Sequence, residues 1–139
     1  MKIKSKSGQS LIEVLTALAV VLLVLVALIR ATTMSMRSGS FSKAQAQAST
    51  YAQEAIEWIR AERDKNWNNL VLGNYCMNEL SWSSVGTCEY TLGNQFKREV
   101  SLANVGDEGN QVKVEVVVSW QESGGEHQSQ LTTYLSNWR

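Results

Sequence analysis

The sequence predicts an α+β fold in which one long N-terminal helix, membrane-spanning in its first half, packs on a C-terminal antiparallel meander sheet. Three observations carry this expectation. Between Leu11 and Ile29, seventeen of nineteen residues are Ala, Val, Leu or Ile, with Glu13 and Thr16 the exceptions. Ala44, Ala48, Ala52, Ile56 and Ile59 then recur at helical spacing. Beyond Tyr90 the apolar period changes to two, the signature of half-buried strands.

The chain has 139 residues, one domain's worth, with thirteen Lys and Arg against thirteen Asp and Glu. That balance offers no basic surface for phosphates, so no nucleic-acid partner is expected. A helix over the nineteen residues 11–29 rises about 28 Å, enough to cross a hydrocarbon core of about 30 Å. Lys2, Lys4 and Lys6 precede the run, whereas Arg30 and Arg37 follow it, which favours a cytoplasmic N-terminus with the rest outside. Cleavage as an ordinary signal peptide fits poorly. A cut after Ala31 would put bulky Ile29 at position −3, and the run exceeds the usual length of an h-region.

Glu13 is the oddity, a carboxylate inside the apolar run. It reads either as a helix-end acid near the headgroups, where it complements the helix dipole, or as a partnered functional acid. Its surroundings, Lys6-Ser7-Gly8-Gln9-Ser10-Leu11-Ile12-Glu13-Val14-Leu15, resemble the leader and cleavage motif of type IV pilins and pseudopilins. The resemblance implies a leader of residues 1–8, cut by a prepilin peptidase between Gly8 and Gln9. It also implies N-methylation at Gln9, where family members often carry Phe or another apolar residue. Glu13, fifth in the mature chain, would then serve subunit assembly by meeting the Gln9 ammonium of a neighbour, since an unpaired buried charge costs several kcal/mol. Removing the leader leaves ten Lys and Arg against thirteen acids, a mildly acidic subunit.

Residues 9–30 form the membrane-spanning or filament-core half of the helix in this reading, and 31–65 its amphipathic half. Helix from Leu11 to Asp64 would be about 80 Å long, more stalk than globular element. Between the halves, Ser35 to Ser42 contains Gly39, read either as a soft joint or as a tolerated glycine in a continuous helix. The Ala-rich stripe, joined by Tyr51 and Ala55, would let the helix approach a sheet closely.

Asn66 to Asn69 and Gly73-Asn74 end the helix and open a loop assigned to residues 66–90. Cys76 and Cys88, the two cysteines of the chain, lie in it, and the expected orientation puts both on the oxidising side. A disulfide is the favoured reading over free thiols or metal, since two Cys and the remote His127 fall short of a closed zinc site. Trp67 and Trp82 could be binding anchors, but packing beneath the loop is the commoner fate.

Residues 91–139 should form the sheet. Phe96, Arg98, Val100 and Leu102 alternate with Lys97, Glu99 and Ser101, and Gly106 to Gly109 reads as a hairpin turn. Val112, Val114, Val116, Val118 and Trp120 form one apolar face, Ser123 to Gly125 turns the chain, and Leu131, Thr133 and Leu135 line a last strand ending near Trp138-Arg139. Three strands result, whose valine face the Ala stripe can cover. Arg63 to Trp67 and Leu131 to Arg139 further resemble minor pilins of the pilus modification type.

No catalytic constellation, cofactor site or metal site is legible, and His127 beside a glycine turn reads as a solvated strand residue. The expected function is therefore structural: a minor subunit of a type IV pilus-like filament. The alternatives are a pseudopilin of a type II-like secretion system, an adhesive tip subunit, or a single-pass membrane protein that never assembles. The resemblance implies as partners the prepilin peptidase, other pilin subunits, an inner-membrane assembly platform and, before assembly, lipid. Residence would shift from the inner membrane to an extracellular or periplasmic filament.

Overall fold

A computed structural model describes residues 7–82, 87–106, 110–122 and 124–137, with side chains from residue 10 onward. The fold is α+β. One helix, α1 (Ser7–Lys65), precedes a four-stranded antiparallel sheet of β1 (Gly73–Cys76), β2 (Phe96–Asn104), β3 (Gln111–Glu122) and β4 (Gly125–Ser136). The strands lie in chain order, β1-β2-β3-β4. Two compact units divide between Ser40 and Phe41. The helix continues through Gly39, where an added Cβ would meet nothing within 4 Å, so the glycine makes no break and no close approach requires it.

The core belongs to the second unit and has the two faces expected of it. Ala48, Ala52, Ala55, Ile56 and Ile59 of α1 are buried together with Val112, Val114, Val116, Val118 and Trp120 of β3. Small residues on the helix let its backbone come close to the sheet, and the β-branched row fills the pleat beneath. Register is continuous along β2–β3, from Phe96 opposite Trp120 to Asn104 opposite Val112. Along β3–β4 it runs from Gln111 opposite Ser136 to Glu122 opposite Gly125. Leu135 is buried, and Leu131 and Thr133 are half-buried on the same face, as the alternation predicts.

One strand more than expected is present. Residues 73–76, assigned to the loop, pair antiparallel with β2 from Gly73 opposite Leu102 to Cys76 opposite Glu99. With four residues, Gly-Asn-Tyr-Cys shows no legible period; only Tyr75 turns inward, and its pairing with Val100 decides the matter. A 3-10 turn, Trp67–Asn69, follows α1 and is capped by the Asn66 side chain, which accepts from Asn68 N–H. The expected turn residues Asp107 to Gly109 and Ser123, the leader residues 1–6, and Trp138-Arg139 lie outside the described residues.

Between Cys88 and β2 the chain makes a tight turn at Gly93, whose φ of +55° is left-handed. A Cβ there would stand 2.8 Å from the Tyr51 hydroxyl oxygen, so an alanine meets both backbone strain and a clash. Gly93→Ala should destabilise the protein by about 2–3 kcal/mol in denaturant unfolding. Gly106→Ala, at φ +79° with open space around it, should cost about 1 kcal/mol. Equal effects at the two positions would refute the Tyr51 contact.

Candidate functional site

The N-terminal half of α1 presents its apolar side chains outward. Leu11, Ile12, Val14, Leu15 and Leu18 are more than half exposed, as is most of the run to Ile29. This helix is long and apolar enough to cross a membrane, and none of its most apolar stretch is buried within the chain. The three threonine hydroxyls of this half are internally satisfied: Thr16 donates to Glu13 O at 3.0 Å, Thr32 to Ile29 O at 2.9 Å and Thr33 to Ile29 O at 2.8 Å. Such back-bonding lets a threonine enter hydrocarbon without an orphaned donor. Glu13 is then the one ionisable side chain between Ser10 and Ile29, and it is exposed. Gly8 and Gln9 stand in the first turns of α1, and their side chains lie outside the described residues.

The predicted cysteine pair is bonded. Cys76 at the end of β1 joins Cys88 with a Cα–Cα distance of 5.4 Å. The bridge fastens the returning segment to the sheet edge, and Asn78 reinforces it. The Asn78 amide donates to Glu89 O at 2.6 Å and to Thr91 Oγ1 at 2.7 Å, while its Oδ1 accepts from Arg98 N–H at 2.8 Å. Trp82 packs on Trp58 and Tyr75 with ring centroids 5.0 Å from each, and Trp67 lies against the core. Both loop tryptophans are therefore packing residues.

Arg98 is the buried charge at the centre of this region, 1% exposed in the core-facing phase of β2. Its Nε donates to Met77 O and its Nη1 to Tyr51 O, each at 2.7 Å, and Glu54 approaches to 3.5 Å. One planar side chain thus ties α1, β2 and the segment after β1 together. Burial pushes its guanidinium below the ordinary value, against the opposing pull of Glu54. The sequence signal was its phase, a charge in step with Phe96 and Val100.

On the opposite sheet face, Tyr90 donates to Glu126 at 2.7 Å and Lys97 lies 3.2 Å from the same carboxylate. The Tyr90 hydrogen bond, and then Lys97, hold the Glu126 carboxyl below its usual range. The sequence held no sign of this long-range group. His127 departs from the expected solvated position: half-buried on the helix-facing side, its ring lies 5.2 Å from Phe41 and 5.7 Å from Trp120. Glycine neighbours suggested an open turn, but strand phase directs His127 inward. Trp120 completes this aromatic group at some cost, since its buried Nε1 has no acceptor among the described residues.

Among the described residues no three His, Cys, Asp or Glu side chains converge as metal ligands. Comparison of the chain with protein-family models, curated proteins and solved structures finds no match.

Proposed function

We propose that the chain is a structural subunit, and a minor one, of a type IV pilus-like filament. In this reading a prepilin peptidase cuts after Gly8, and the exposed apolar half of α1 carries the mature chain first in the inner membrane and then in the filament core. The observation that carries it is Glu13, an exposed carboxylate amid uncovered Leu, Ile and Val side chains, set five residues beyond Gly8. In a packed array of such helices that carboxylate needs a cation, and the new Gln9 ammonium of a neighbour can supply it. The pairing would set the axial register between subunits. Assembly platform and fellow subunits follow as partners from the same reading.

The test is the mass of the processed N-terminus in the native host. It should begin at Gln9, and Gly8→Leu should leave the leader attached. Glu13→Gln should insert and be cleaved normally but enter filaments about tenfold less or worse, the factor that about 1.4 kcal/mol of lost pairing gives. A mature chain starting elsewhere, or full incorporation of Glu13→Gln at native expression, would refute the proposal.

A further inference from the structure

The two edges of the sheet differ. β1 is four residues long and tied down at Cys76 by the disulfide, whereas β4 is twelve residues long and its pairing to β3 contains no bulge. From Gln128 to Ser136, β4 has no Lys, no Pro and no charge, the devices by which edges are ordinarily closed to further pairing.

The phase of the free edge follows from one hydrogen bond. Asn137 N–H donates to Asn110 O at 2.9 Å, which makes that pair a closely bonded one. Bonded pairs recur every second residue, so Leu131, Thr133 and Leu135 spend their backbone groups on β3. Gln128, Gln130, Thr132 and Tyr134 therefore turn N–H and C=O to the open side. Among the described residues, none bonds these groups across that side.

Beside this edge, between it and the second half of α1, lies a cavity of about 150 Å³ lined by Gln53, Ile56, Glu57, Arg60, Leu131 and Thr133, among others. A strand added to β4 would direct alternate side chains toward α1, into this space. Ile56 and Leu131 give it an apolar floor, and a volume of about 150 Å³ takes one group of benzene size. At its rim, Arg60 reaches only Thr133 Oγ1, at 3.4 Å, and has no carboxylate partner among the described residues.

We propose that β4 and α1 form a receptor for an extended segment of a partner protein, which adds as a fifth strand. The segment places an aliphatic side chain in the cavity and, two residues away on the same face, an acidic side chain against Arg60. Backbone bonding supplies affinity, and cavity and cation supply selectivity. The neutral edge imposes no charge penalty on such a strand; Arg60 offers a cation to the segment's acid, and Glu57, which lines the same cavity, limits that acid to a position clear of its own carboxylate. This inference does not depend on the filament reading.

The experiment uses the full chain in detergent micelles. The probe is a short peptide, capped at both ends, that alternates threonine with valine and carries leucine at its centre and aspartate two positions later. On binding, the amides of Gln128, Gln130, Thr132 and Tyr134 should gain hydrogen-exchange protection, while those of Leu131 and Thr133 stay as protected as before. Thr132→Pro removes an outward donor without touching the β3 ladder and should weaken binding about tenfold or more, and Arg60→Ala severalfold. Two N-methylated peptides, blocked on opposite phases, leave the protein unaltered; one should lose binding and the other keep it. Equal binding of the two, or no protection at the even-numbered amides with millimolar peptide, would overturn the proposal. So would protection of those amides by self-association alone, which would make a second copy the occupant.

Discussion

Arg98→Met is expected to lower the unfolding free energy of a fragment spanning residues 37–139 by about 3–5 kcal/mol. Methionine fills much of the same length but donates nothing, which leaves Met77 O and Tyr51 O without the donors that now reach them at 2.7 Å. Tyr51 O keeps its helical bond within α1, so the larger share of the loss falls on Met77 O and on the missing tie between helix and sheet, a buried acceptor left without its donor costing about 1–3 kcal/mol. Glu54 adds little to the sum, because its side chain is 48% exposed and regains water. Arg98→Lys should fall between, since a single ammonium cannot serve two carbonyls in the guanidinium's fixed fork. Urea unfolding followed by tryptophan fluorescence measures both. A loss under about 1 kcal/mol for Arg98→Met would mean that water or repacking replaces the network.

Replacing Cys76 and Cys88 together by serine should cost the same fragment about 2–4 kcal/mol, the loop-closure value for a separation of twelve residues. The damage should be local. Hydrogen exchange should accelerate at Asn74 to Asn78 and Cys88 to Leu92, because the bridge and Asn78 hold these segments beside β2. Amides of β3, whose valine row is covered by the Ala stripe of α1, should change little relative to global stability. Uniform acceleration across β2, β3 and β4 would show instead that the bridge supports the whole core.

How much of this was legible in the sequence depended on the length of each pattern. Val112 to Trp120 repeats its period often enough to define a face, and the stripe from Ala44 to Ile59 does the same for a helix. β1 is too short to show a period, and its existence rests on the partner strand that Tyr75 meets. Arg98 was read in the correct phase, but the carbonyls it serves lie 21 and 47 residues away, beyond the reach of any local pattern. At His127 two local signals compete, glycine neighbours that mark a turn and a strand phase that points inward, and the phase prevails. At the N-terminus the proposed role of Glu13 rests on the sequence, since a single chain contains none of the neighbours that role would need.

The sequence separations that close the core have a consequence in time. Ser49 on α1 meets Ser129 on β4 at 3.3 Å across 80 residues, and Arg60 meets Thr133 across 73. Contacts of that span make folding slow, and these cannot form until β4 has been synthesised. The apolar stretch from Leu11 to Ile29 emerges before β4 and forms local helical bonds. Were it inserted in a membrane at that stage, the C-terminal unit would still be an open chain and would fold tethered, confined to a surface rather than free to diffuse. Tethering by its N-terminus would separate the commitment to a membrane from the commitment to a fold, with the ribosome setting the interval between them.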